Sequence, residues 1–67
     1  MHYYVEVEPN RKGEYEVHME TCRLLPTAAE RGYLGFHDNG WDAIEKAKRD
    51  FTRAVACPLC LAECYKN

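Results

Sequence analysis

The sequence predicts a small α+β domain: an N-terminal β-hairpin with a short third strand, one main α-helix and a short C-terminal helix. Three observations predict it. Two short runs near the N-terminus alternate polar and apolar residues around a Pro-Asn-Arg-Lys-Gly segment. A later stretch places its apolar residues at helical spacing instead. A chain of 67 residues has room for one domain and one modest core, so residues 1–67 read as a single unit.

Tyr3-Tyr4-Val5-Glu6-Val7-Glu8 alternates for much of its length and is rich in aromatic and β-branched residues, which reads as a strand. Pro9 to Gly13 is a turn by composition, with Gly13 free to take positive φ. From Glu14 to Met19 the alternation resumes, with Tyr15, Val17 and Met19 on one face and Glu14, Glu16 and His18 on the other, completing a hairpin. Pro26 to Gly32 reads as a loop in which Thr27 to Arg31 can form one helical turn. Tyr33 to Phe36 is short and apolar, consistent with a third strand beside the hairpin.

Asn39 is a good N-cap, and Asp42 suits the positive end of a helix running from about Gly40 to Arg53. Trp41, Ile44, Ala47 and Phe51 share one side of it, and Glu45, Lys46, Arg49 and Asp50 lie largely on the other. Trp41, Ile44 and Phe51 are therefore expected in the core. Ala54-Val55-Ala56 reads as a connection. Cys57 followed by Pro58 has the form of a capping residue and a helix start, which predicts a helix from Pro58 to about Tyr65.

A domain this short buries only about 60% of its unfolded surface and is marginal on apolar burial alone. A disulfide set or a structural metal is a common remedy, and four cysteines and three histidines supply the donors. The chain starts at Met1 with no basic and apolar leader after it, and no stretch approaches the roughly 20 apolar residues of a membrane span. The expected setting is a reducing cytoplasm, where paired cysteines bind metal more often than they form disulfides.

His18-x3-Cys22 falls at the end of the hairpin and Cys57-x2-Cys60 at a helix start. Zinc takes four thiolate or imidazole ligands in a tetrahedron, and two close pairs far apart in sequence are the usual way to build that cage. Unpaired backbone N–H groups at a helix start also favour thiolates. The favoured metal ligands are thus His18, Cys22, Cys57 and Cys60, binding zinc. A redox dithiol, plain buried cysteines and a disulfide are the competing readings. The redox reading meets a difficulty: thioredoxin-like folds need further strands after such a motif, and only seven residues follow Cys60.

Cys64 shares a helical face with Cys57 and Cys60, but seven residues of helix rise about 10 Å. Zinc–sulfur bonds are only about 2.3 Å long, so Cys64 reads as a small buried hydrophobe instead. His37 reads as an exposed or locally bonded loop histidine, and His2 at the terminus carries little information.

From Tyr15 to Cys60 the chain resembles the small metal-binding domain at the N-terminus of the Ada DNA-alkylation repair protein. It is more similar to relatives of that domain in which histidine replaces the first cysteine. These occur alone or appended to bacterial nucleases and membrane proteins. The likeness is carried by Val17-His18, Cys22, Tyr33-Leu34-Gly35-Phe36, Asp42 to Ala47, and Cys57-Pro58-Leu59-Cys60, about two-thirds of the chain. It implies a zinc-stabilised α+β fold with one four-ligand site. The methyl-acceptor activity of the repair protein does not follow, because His18 stands where its first cysteine would be.

Four protein ligands leave no open position for a substrate water, and no Ser/His/Asp set or Gly-rich phosphate loop is present. The expected function is a stand-alone zinc-stabilised binding module without catalysis. A cysteine-thiolate redox or alkyl-acceptor protein is the alternative, and a weak nucleic-acid-binding domain a further one. Glu6, Glu8, Glu14 and Glu16 read as a solvated strand face that guards a sheet edge. A net charge of −2 argues against a nucleic-acid partner and leaves a protein partner favoured, with Tyr3, Tyr4 or Tyr33 as contact residues.

Overall fold

The computed structural model describes residues 1–65. It contains strands β1 (His2–Glu6), β2 (Tyr15–Met19), β3 (Arg31–Phe36) and β4 (Ala54–Ala56), and one α-helix, α1 (Gly40–Ala47). Single 3₁₀ turns occupy Ala28–Glu30 and Ala62–Cys64. The chain is a mixed α+β fold whose sheet has the order β3-β1-β2-β4. β1 pairs antiparallel with both β2 and β3, while β4 runs parallel to β2.

Asn10 organises the hairpin turn. Its side-chain oxygen accepts from the N–H groups of Lys12 and Glu14, each at 2.9 Å, while Gly13 takes φ 77°. That turn pairs Val5 with Val17 and Tyr4 with His18. Tyr3, Val5 and Val17 then meet α1 in the core, together with Leu34, Ile44, Ala54, Ala56 and Leu61. Tyr4, Glu6, Glu16 and His18 fall on the opposite face. Tyr3 is therefore a core residue, not a contact residue, and Tyr33 is exposed.

The helix buries Gly40, Ala43, Ile44 and Ala47, a stripe of mostly small residues that lets it lie close to the sheet. Trp41 lies beside this stripe and is 54% exposed, contrary to its expected core position. Phe51 is half-buried and packs on Tyr15, with ring centroids 4.7 Å apart.

Two expected helices are corrected. α1 ends at Ala47 and not at Arg53. Beyond it, Arg49 and Asp50 donate to carbonyls three residues back, which tightens the chain into turns. These turns set Arg53 where its carbonyl accepts from the Tyr15 N–H at 3.1 Å, and the segment Ala54–Ala56, expected as a connection, becomes strand β4. The C-terminal helix is absent: residues 58–61 form turns and only Ala62–Cys64 makes a 3₁₀ turn. The Leu61 N–H does close one turn on the Cys57 carbonyl at 3.0 Å, but Leu61 itself, at φ −123° and ψ 46°, leaves helical geometry and stops it there.

The segment joining β2 to β3 begins beside His2, where the Glu20 N–H donates to the His2 carbonyl. It ends beside Val7, whose N–H donates to the Glu30 carbonyl. It thus runs the length of β1, passing over the face away from α1. No helix among the described residues is long and apolar enough to cross a membrane.

Candidate metal centre

His18 alternates away from the core face yet is wholly buried. The segment after β2 covers it. Within that segment Cys22 donates its N–H to the Met19 carbonyl at 3.0 Å, closing a turn that returns the Cys22 side chain towards the strand. The Leu24 N–H then points at the Cys22 sulfur, 3.4 Å away.

Cys57 arrives from the other side. It extends β4 by one residue, and its N–H continues the parallel ladder by donating to the Val17 carbonyl at 3.0 Å. This places Cys57 beside His18. The N–H groups of Leu59 and Cys60 wrap the Cys57 thiol. The Cys60 sulfur accepts from the Met19 N–H at 3.3 Å. Each thiol of the cluster is therefore met by at least one backbone N–H, the arrangement that favours thiolate charge.

One donor atom from each of His18, Cys22, Cys57 and Cys60 lies within 4.8 Å of all the others, so these four residues could hold a metal ion. The Cys22 and Cys57 sulfurs are 3.9 Å apart. A tetrahedron with metal–sulfur bonds of about 2.3 Å has a sulfur–sulfur edge of about 3.8 Å, so this pair already stands at the separation one ion requires.

The electrostatics point the same way. Burial pushes the Cys22 thiol up, but the Leu24 N–H and the neighbouring His18, Cys60 and Cys57 outweigh it and hold the thiol below its ordinary range. Burial raises Cys57, and it pushes Cys60 up to about 12. Without a cation, burial and mutual repulsion oppose ionising all three thiols together. A bound metal ion reverses that balance.

The four residues singled out from the sequence are brought together, and the remaining candidates are not. Cys64 is buried in the core beside Leu61 and Gly40. His37 bonds locally, its Nε2 lying 2.8 Å from the Leu34 carbonyl. His2 Nδ1 lies 2.6 Å from the Tyr33 hydroxyl. Sequence reasoning missed Glu6, which it assigned to a solvated face. Glu6 Oε2 is 2.7 Å from His18 Nε2. Glu16 stands further off, at 3.9 Å. The signal was the hairpin register: with Val5 opposite Val17, Glu6 falls diagonal to His18 on the same face, within reach of a long side chain.

Fold and site together define a small α+β domain with a buried His/Cys cluster able to bind a metal ion. Comparison with protein-family models, with curated proteins and with solved structures finds no match to this chain.

Proposed function

We propose that this chain is a zinc-stabilised binding module without catalytic activity, in which His18, Cys22, Cys57 and Cys60 hold one structural zinc ion. The observation that carries the reading is the set of four donors, one pair at the end of β2 and one just after β4, packed within 4.8 Å of one another. Donor chemistry selects the ion: three thiols with one imidazole are a donor set that suits zinc. Four protein ligands complete its coordination and leave no position for a reacting water. The likeness to Ada-like domains belongs to this proposal and rests on ligand order and spacing.

The partner we favour is a protein. Tyr33, Phe36 and Trp41 are large and exposed, and such side chains supply much of the energy of protein interfaces. The formal charge of −2 opposes a phosphate backbone.

Elemental analysis of protein purified without chelator tests the zinc reading directly. The expected result is one equivalent of zinc per chain, with Cys22, Cys57 and Cys60 protected from alkylation. A metal-free protein that takes up no zinc and shows one hyper-reactive cysteine would overturn it in favour of a thiolate redox protein.

A further inference from the structure

The two nitrogens of His18 are treated differently by the fold. Nε2 lies 2.7 Å from Glu6 Oε2. Nδ1 is buried and, among the described residues, has no hydrogen-bond partner. A buried ring nitrogen without a partner is costly, and native structures leave very few such atoms. Two groups of donors compete for this one ring. The first is the set of three thiols. The second is Glu6 and Glu16, which also come within 4.8 Å of His18.

Only one assignment satisfies both nitrogens. An ion on Nε2 between the two carboxylates would displace the proton shared with Glu6 and leave Nδ1 orphaned. An ion on Nδ1 fills the empty valence, and Nε2 keeps its proton to donate to Glu6. Burial agrees with the second arrangement. The Glu6 and Glu16 side chains are 26% and 24% exposed, whereas Cys22 and Cys57 are buried.

Resting on the zinc reading above, we infer that His18 binds the metal through Nδ1 and that Glu6 is a built part of the centre, fixing the His18 tautomer and ring orientation through the Nε2 proton. Glu6 does not touch the ion. It acts through His18, as carboxylate partners of metal-bound histidines do. The 3.9 Å separation leaves Glu16 without a direct hydrogen bond to the ring, so the role falls on one carboxylate.

The test uses the whole chain loaded with zinc, or with cadmium-113 for detection. In ¹⁵N-labelled wild-type protein, cadmium should couple to His18 Nδ1, and Nε2 should carry a slowly exchanging proton. This measurement needs no variant. Zinc affinity is then compared by competition with a chromophoric chelator for Glu6→Ala, Glu6→Gln and Glu8→Ala. Glu6→Ala should lose about 10- to 100-fold. Glu6→Gln retains an acceptor and should lose less. The exposed Glu8 serves as control and should lose nothing. Coupling to Nε2, or equal affinities for the Glu6→Ala and Glu8→Ala proteins, overturns the role of Glu6 while zinc binding stands. A wild-type chain that binds neither metal overturns both readings.

Discussion

At Gly40, α1 packs closely against the C-terminal turn. A Cβ built on it would lie 2.7 Å from Leu61 Cδ2 and 3.1 Å from Cys64 Sγ. Leu61 is itself almost wholly buried, so it has little room to yield. Helix propensity favours alanine over glycine by about 1 kcal/mol in a helix interior. Gly40 is the first helical residue, where that gain is smaller, and overpacking typically costs about 1–3 kcal/mol. The steric effect therefore wins. Gly40→Ala should destabilise the domain by about 1–2 kcal/mol in denaturant titrations, net of these two effects. An unchanged or higher midpoint would show that the helix can shift outward freely. This contact was not legible in the sequence. Asn39 announced the helix start, but nothing local says that Leu61 returns to pack on it. Trp41 misled for a related reason. Its size argued for the core, while the close approach at Gly40 gives the buried stripe to small residues and turns the indole outward. His18 shows the converse: alternation placed it correctly on the polar face, but a covering segment buries it there.

At the scale of elements, what could be read from sequence depended on whether an element is defined by its own residues. The hairpin, the third strand and the helix start are. Asn39 accepts from the Asp42 N–H at 2.9 Å, as its place before the apolar repeat predicts. Asn39→Ala should cost about 1 kcal/mol, since capping oxygens of this kind contribute about that much. Asn39→Asp should retain most of it. A thermal transition that does not move for either variant would mean the packing of α1 holds its first turn without the cap. β4 and the Cys57 turn are not self-defined. Three residues, Ala-Val-Ala, carry too little periodicity to read as a strand, and β4 forms because β2 offers it a parallel edge. Likewise Cys57-Pro58 has the form of a helix start. Leu61 then departs from helical geometry, so the turn opened at Cys57 closes after one bond. That His18, Cys22, Cys57 and Cys60 come together was legible from spacing even though the local structure around two of them was not, because two close pairs can meet whatever turn supplies them.

For the whole molecule, the cluster gathers side chains from three places in the fold. Cys22 lies in the covering segment, His18 on an inner strand, and Cys57 and Cys60 beyond the edge strand β4. β4 itself is three residues long, too short to hold its edge by ladder bonds alone. Structural zinc contributes an apparent 10–16 kcal/mol, roughly, in small zinc-dependent folds. Whole domains are stable by only about 5–15 kcal/mol. On the proposed zinc reading, removing a clamp of that size from a 67-residue chain takes away more than the remaining core can supply. A strong chelator should therefore abolish the cooperative thermal transition altogether. The β-sheet circular dichroism should be lost with it, and all four cysteines, Cys64 included, should become open to alkylation. Cys60→Ser should reproduce this state without chelator. Cys64→Ala should keep one metal ion per chain and a cooperative transition, because Cys64 packs against Leu61 and Gly40 and lies outside the donor set. For a domain of 60–100 residues, 1 kcal/mol moves the midpoint by about 4–8 °C. A chelated protein that still melts cooperatively within about 10 °C of the loaded one has thus lost no more than about 3 kcal/mol. That result would reduce the metal from the clamp of the fold to a peripheral ligand.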